Sequence, residues 1–143
     1  MYYQNFREID LLVIHCSGTR RYQDYPVEQL RMDHRKRGFT DIGYHFYVRR
    51  DGEVIPCRPL HRIGAHARGS NDRSIGICYE GGLEENGSPC DTRTYEQKIA
   101  LIGLLRQLKA AYPGAKIRGH NELSPYIKKA CPCFLASREY EDL

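Results

Sequence analysis

The sequence predicts a single α/β domain in which helices flank a central mixed β-sheet. Three observations support this fold class: the length of 143 residues, the absence of internal repeats or linkers, and the order strand, helix, hairpin, strand, helix, strand. With 41% hydrophobic and 28% charged residues, the composition is typical of a globular protein and excludes extensive disorder. We therefore assign residues 1–143 to one domain.

The first two elements are a buried strand and an amphipathic helix. Residues 10–17 (DLLVIHCS) form a short, apolar, β-branched run, which predicts a buried strand. Asp24 is the expected cap of the following helix, with Pro26 in its first turn and Gly38 at its end. The helix is expected to lie on one face of the sheet.

A hairpin, a loop and a second buried strand follow. Segments 44–50 and 53–58 alternate around the dipeptide 51–52 (Asp-Gly), which is a strong hairpin signal. The stretch 61–71 is rich in Gly, Arg and His and predicts a surface loop. Residues 74–79 (SIGICY) predict another core strand.

The last third of the chain predicts a long helix, a short strand and a short closing helix. Thr94 and Gln97 have the spacing of a capping box, and residues 112–114 end the helix. Residues 115–119 predict the final strand, and a short helix is expected after Phe134. The expected apolar stripe of the long helix comprises Ile99, Ile102, Leu105 and Leu108, widened by Leu101 and Leu104.

Charge and hydropathy restrict the classes of partner. The net charge is +4, but the basic residues are scattered and form no stripe, so a dedicated nucleic-acid function is not expected. No apolar run approaches the roughly 20 residues of a spanning helix, so no membrane insertion is expected. Residues 1–10 lack the pattern of a secretory signal, and we expect cytoplasmic synthesis. The six cysteines are accordingly expected to be mostly thiols rather than three disulfides.

Two histidines and one cysteine are candidate metal ligands. His15 lies near the end of the first predicted strand, and His120 directly follows the last one, so both can face one crevice beyond the strand ends. Cys131 follows His120 after a short loop. Two imidazoles and a thiolate suit zinc and leave a fourth tetrahedral position open, as in catalytic zinc sites.

Spacing alone leaves other interpretations of Cys131 open. It could be a buried thiol, part of a disulfide, or one ligand of a structural zinc site that also uses Cys133. The structural site is disfavoured because the sequence has no CxxC motif. A cysteine hydrolase using Cys16 or Cys78 is a more remote alternative, since both lie in apolar strands.

Five separated motifs carry a resemblance to a known family. The chain resembles the zinc-dependent N-acetylmuramoyl-L-alanine amidases of the bacteriophage T7 lysozyme type, within a superfamily that includes the peptidoglycan recognition proteins. The resemblance covers roughly residues 8–140 in the right order. The motifs are VIHCSGT with His15, DIGYHFYVRRDG with Tyr44, GAHARGSNDRSIGI with His66 and Asn71, RGHNEL with His120, and KKACPCF with Lys129 and Cys131.

The resemblance implies a function and a role for each of these residues. It implies one Zn²⁺ per chain, held by His15, His120 and Cys131, and hydrolysis of the amide between N-acetylmuramic acid and the L-alanine of the stem peptide. Tyr44 and Lys129 match positions that assist catalysis, while His66 and Asn71 match the loop that forms the substrate groove.

The resemblance also implies biological context and leaves alternatives. We expect a monomer that binds peptidoglycan or muropeptides, has a phage or prophage origin, and acts on the cell wall after release or export. The sequence departs from the family in having no Trp and in carrying Cys133 where a small residue is commoner. Two alternatives are a non-catalytic muropeptide-binding module on the same scaffold and a zinc-stabilised interaction domain.

Overall fold

The buried β-branched segments form a five-stranded mixed sheet in the computed structural model, which describes residues 7–127 and 129–143. The expectations for residues 1–6 of the amino terminus and for Lys128 of the KKACPCF motif lie outside the described residues. The strands are β1 (Leu11–Cys16), β2 (Thr19–Arg20), β3 (Phe46–Val48), β4 (Val54–Pro56), β5 (Ser74–Tyr79), β6 (Gly82–Leu83) and β7 (Lys116–Gly119).

The sheet order is β4-β3-β5-β1-β7, and it confirms the predicted mixed α/β architecture. Strand β1 is parallel to both β5 and β7, β3 is parallel to β5, and the hairpin partner β4 is antiparallel to β3. Strands β2 and β6 form a separate two-stranded parallel sheet that the sequence analysis did not predict. Each of these two strands has only two residues, too few to show a hydropathy period.

Within residues 7–127 and 129–143, three α-helices cover the two faces of the main sheet. They are α1 (Val27–Lys36), α2 (Tyr95–Ala111) and α3 (Ala136–Glu139). The larger core joins Phe46 and Val48 of β3 to α2 and α3, whereas the smaller core joins Tyr47 to Leu30 of α1. This alternation along β3 places α1 on the face opposite α2 and α3.

Helix α1 begins differently from the prediction. Pro26 is its N-cap residue, with extended backbone and no capping side chain, so the prediction of Asp24 as the cap is wrong. Asp24 instead accepts a hydrogen bond from Arg49 at 2.5 Å. Arg49 of the hairpin therefore binds the Asp24 carboxylate, which the local sequence would place at the N-cap of α1.

The capping box of α2 is confirmed, but the predicted apolar stripe is wrong in part. Thr94 Oγ1 accepts from Gln97 N, and Gln97 Oε1 accepts from Thr94 N. Gln97 is fully buried and donates to Val48 O at 3.2 Å and to Glu80 O at 2.9 Å. The side of α2 that carries Gln97 therefore faces the sheet. Ile99 lies on a different side of the helix and is 52% exposed. The buried stripe is Gln97, Leu101, Leu104, Leu105 and Leu108.

No helix within the described ranges is long and apolar enough to cross a membrane. The longest, α2, has 17 residues and carries charged side chains along its length.

Burial of His34 makes stability depend on pH. Its Nδ1 accepts from Gly43 N at 2.9 Å, and burial, followed by Arg37 and Arg58, lowers the pKa of His34 to about 4. An unfolded histidine has a pKa of about 6.5. Between about pH 6.5 and 4, His34 is therefore protonated in the unfolded chain but neutral in the folded chain. This contribution to the free energy of unfolding is present above pH 6.5 and is lost as the pH falls.

We predict that His34→Asn, which keeps an acceptor for Gly43 N, flattens this pH dependence. The slope of the free energy of unfolding between pH 6.5 and 4 should decrease by up to roughly 1.4 kcal/mol per pH unit. Urea denaturation at a series of pH values, with chelator present throughout, measures the slope. Identical slopes for the two proteins would show that His34 titrates normally in the folded state.

Candidate metal centre and active site

The carboxyl ends of two parallel strands bring the predicted ligands together. His15 is in β1, and His120 directly follows β7. Single ligand atoms from His15, His120 and Cys131 lie within 4.8 Å of one another, and the two imidazole ring centroids are 4.8 Å apart. The structure thus forms a His/His/Cys group from the three residues that the sequence predicted, in the expected crevice.

The chemistry and spacing of this group suit a tetrahedral metal ion. His15 Nδ1 is 4.0 Å from Cys131 Sγ, compared with about 3.6 Å between nitrogen and sulfur ligands around zinc. Burial, followed by the charges of His66, His120 and Lys129, lowers the pKa of His15 well below its usual range. Burial and Lys129 also lower the pKa of His120. Neutral imidazoles at physiological pH are the form that binds metal.

Backbone contacts hold Cys131 at the group. Cys16 N donates to Cys131 Sγ at 3.2 Å, a contact that fixes the position of the sulfur beside β1. Asn121 N donates to Cys131 O at 2.9 Å, which fixes the loop against the turn that carries His120. All six cysteines are free thiols, as expected, and Cys133 directs its thiol to Gly82 O at 3.4 Å. Cys133 is outside the metal group that the described residues form.

Glu122 braces the turn that carries His120. Its carboxylate accepts from Gly119 N at 2.9 Å and from Ser137 N at 3.1 Å, and it also accepts from the Ser137 hydroxyl. The carboxylate therefore joins the end of β7 to the start of α3. This contact keeps His120 in register with β1.

A cavity of about 540 Å³ opens over the metal group. All seven predicted site residues line it, although they come from five separate motifs. Its wall consists of His15, Cys16, His34, Arg37, Phe39, Tyr44, Ala65, His66, Ala67, Arg68, Asn71, His120, Lys129 and Cys131.

Tyr44 and Lys129 both line the cavity beside the metal group. The Tyr44 ring centroid is 5.1 Å from that of His15, and burial, reinforced by nearby thiols, raises the pKa of Tyr44 well above 10. Its hydroxyl therefore stays protonated and can donate a hydrogen bond at neutral pH. Lys129 is exposed, and its charge contributes to the lowered pKa of both ligand histidines.

The loop residues His66 and Asn71 have partners within the protein. Asn71 Oδ1 accepts from His66 N at 2.9 Å and from Ala67 N at 2.8 Å, which fixes the loop beside the cavity. His66 Nδ1 is 2.8 Å from His15 Nε2. His45 lies outside the metal group, with its Nε2 at 2.8 Å from Arg62 O and its Nδ1 accepting from Gly76 N.

Seven residues of the cavity wall were not among the predicted site residues: Cys16, His34, Arg37, Phe39, Ala65, Ala67 and Arg68. His34 and Arg37 come from the end of α1, Phe39 from the loop after it, and Arg68 from the loop before β5. His34 is buried, and its position beside the cavity depends on how α1 packs on the sheet. The local sequence carries no signal for that placement.

The fold and the site define a class of single-domain α/β protein with a His/His/Cys group at the ends of parallel strands. The sequence profile of the N-acetylmuramoyl-L-alanine amidases matches residues 5–134. The chain belongs to this family, and the prediction of an amidase is confirmed.

Known relatives agree with this assignment. The chain is 40% identical over 132 residues to the endolysin of Escherichia phage T7, a match that covers 92% of this chain and 85% of the relative. It is 39% identical over 128 residues to the endolysin of Enterobacteria phage K11, covering 90% and 83%. The solved structure of the N-acetylmuramoyl-L-alanine amidase LysC from Clostridium intestinale superposes with a TM-score of 0.77 at 28% identity, covering 93% of this chain and 82% of that one. The phage relatives support the expected phage or prophage origin.

Proposed function

We propose that this protein is a zinc-dependent peptidoglycan hydrolase that cleaves the amide between the lactyl group of N-acetylmuramic acid and L-alanine. The observation that carries the proposal is the convergence of His15, His120 and Cys131 with Tyr44 and Lys129 at one cavity. Two neutral imidazoles and a thiolate are a donor set that zinc prefers. We propose one zinc ion per chain in this group.

The cavity wall suits a muropeptide. Arg37, Arg68 and Lys129 place three cations around it, which complement the carboxylates of a peptidoglycan stem peptide. His66 and Asn71 belong to the loop that forms one side, and we propose that this loop borders the bound peptide. The cations and the loop would orient the scissile amide over the metal group.

The chain's own residues supply positioning and charge. Bound zinc would lower the pKa of a water molecule and polarise the amide carbonyl. We propose that the Tyr44 hydroxyl, protonated at neutral pH, donates a hydrogen bond that orients the attacking water. The Lys129 ammonium would stabilise the negative charge that develops on the carbonyl oxygen.

The phage endolysin relatives support a role in cell lysis. We propose that the protein is made in the cytoplasm, reaches the wall at lysis or by export, and acts as a monomer.

Digestion of purified sacculi tests the proposed function. We expect zinc-loaded protein to release stem peptides with a new free L-alanine amine, identified by mass spectrometry. Treatment with a chelator should abolish release, and added zinc should restore it, because the metal group has no protein side chain that can replace the ion. Binding of sacculi without release would instead support a muropeptide-binding module.

We predict separate effects for the two assisting side chains. Tyr44→Phe and Lys129→Ala should each lower turnover by roughly 10²-fold or more, because each removes a group that acts on the reacting atoms. Zinc content, measured by atomic emission, should stay at one per chain in both variants, since neither residue belongs to the ligand group. Full turnover in both zinc-loaded variants would contradict the assigned roles.

A further inference from the structure

We propose that His66 is a positioning residue for the metal centre, because its imidazole accepts a hydrogen bond from His15 Nε2 and so fixes which nitrogen of His15 faces the metal. The inference rests on the proposed zinc function and deepens it. It gives His66 a role in metal binding beyond its position in the wall of the substrate cavity.

The geometry joins three side chains in a row. His15 Nε2 is 2.8 Å from His66 Nδ1, and the two rings meet edge to face with centroids 4.9 Å apart and an interplanar angle of 88°. His66 Nε2 is 3.1 Å from Ser74 Oγ. Ser74 is fully buried at the start of β5, the strand paired with β1. The row therefore runs from the sheet, through the loop, to a metal ligand.

The two ends of this row determine where each proton lies. His15 Nδ1 faces Cys131 Sγ, and a nitrogen that binds metal carries no proton. The proton of neutral His15 is then on Nε2, so Nε2 donates and His66 Nδ1 accepts. The proton of His66 is left on Nε2, where Ser74 Oγ can accept it. A partner of this kind orients a ligand histidine and raises its basicity.

Two glycines and one asparagine hold the His66 ring in place. A Cβ added at Gly76 would lie 2.6 Å from His66 Cγ, and one added at Gly64 would lie 2.8 Å from His66 Cδ2. The ring thus packs directly against the backbone of β5 and of its own loop. Asn71 Oδ1 accepts from His66 N and fixes the backbone. A ring held on these sides has little freedom to rotate away from His15.

Both nitrogens of the His66 ring are occupied by protein groups. A residue that mainly bound substrate would leave one of them directed at the cavity. The Asn71 carbonyl oxygen is likewise occupied by two backbone N–H groups of the loop. The His66 ring therefore supports His15, and the loop backbone forms the surface that contacts substrate.

The test compares a variant that keeps the acceptor with one that removes it. His66→Asn retains an acceptor oxygen at the position of Nδ1, whereas His66→Phe fills the space without one. Zinc affinity is measured by competition with a chromophoric chelator, and the ligand field by the visible spectrum of the Co²⁺-loaded protein. We expect 10- to 100-fold weaker zinc binding and a changed cobalt spectrum for His66→Phe. His66→Asn should bind zinc within about threefold of the unsubstituted chain.

Two further variants separate positioning from general damage. His34→Asn makes the same exchange at another cavity histidine whose Nδ1 accepts a backbone N–H, and it should leave zinc affinity unchanged. Gly76→Ala alters no hydrogen-bonding side chain but displaces the His66 ring, so it should weaken zinc binding as His66→Phe does. If His66→Phe does not fold, the zinc affinities of Gly76→Ala and His34→Asn test the positioning role instead. Weaker binding by Gly76→Ala alone would support it, and equal affinities would overturn it.

The outcomes distinguish this inference from the proposed function. Zinc binding by His66→Phe within threefold of the unsubstituted chain, with an unchanged cobalt spectrum, would overturn the positioning role while leaving the amidase intact. Equal losses in His66→Asn and His66→Phe would also overturn it, because a lost acceptor would not then be the cause. Failure of the unsubstituted chain to bind zinc or cleave sacculi would instead refute the proposed function.

Discussion

The parallel pairing of β1 with β5 on one side and β7 on the other is the constraint on which the site depends. Ile14 is in register with Gly119, so the residues that follow them, His15 and His120, lie at the same edge of the sheet. A slip of one residue would turn His15 toward the opposite face and separate the two imidazoles. Leu12, Val13 and Ile14 are fully buried, so β1 is held between apolar layers on both faces of the sheet.

Buried charges attach the remaining site segments to this sheet. The Arg93 side chain is fully buried, pairs with Asp91 and Glu139, and lies 3.4 Å from the Phe134 ring centroid. Phe134 follows the loop that carries Cys131, so the contact between Arg93 and the Phe134 ring anchors the end of that loop.

A second buried charge, Glu80, fixes the hairpin and the start of α1. Its carboxylate is 1% exposed and accepts from Tyr25 N, Arg49 Nε and Arg50 N. These contacts hold the hairpin and the start of α1 against the end of β5. Helix α1, which contributes His34 to the cavity wall, is therefore positioned by charge as well as by apolar packing.

The sequence predicted the parts of the site that depend on strand ends and residue type. His15 and His120 follow from buried runs that end at ligand side chains, and Cys131 follows from a thiol placed a short loop after His120. The resemblance added Tyr44 and Lys129. The contact between His15 and His66 joins residues 51 positions apart and depends on how a loop without periodicity folds over β5. Local patterns cannot show such a contact.

The same limit explains the errors in the helices. Ile99 fits an apolar stripe as well as Leu101 does, and only the bonds from Gln97 to two strand carbonyls decide which side faces the sheet. Asp24 is a good cap by local chemistry, yet Arg49 from the hairpin binds it. In both cases, a polar partner distant in sequence outweighs the local preference.

X-ray absorption at the zinc edge of the zinc-loaded protein tests the central claim most directly. The convergence of His15, His120 and Cys131 predicts two nitrogen ligands at about 2.0–2.1 Å and one sulfur at about 2.3 Å, with a light atom completing the shell. Two or more sulfur ligands would show that Cys16 or Cys133 binds the ion. A shell without sulfur would show that the metal lies elsewhere, and either result would contradict the account.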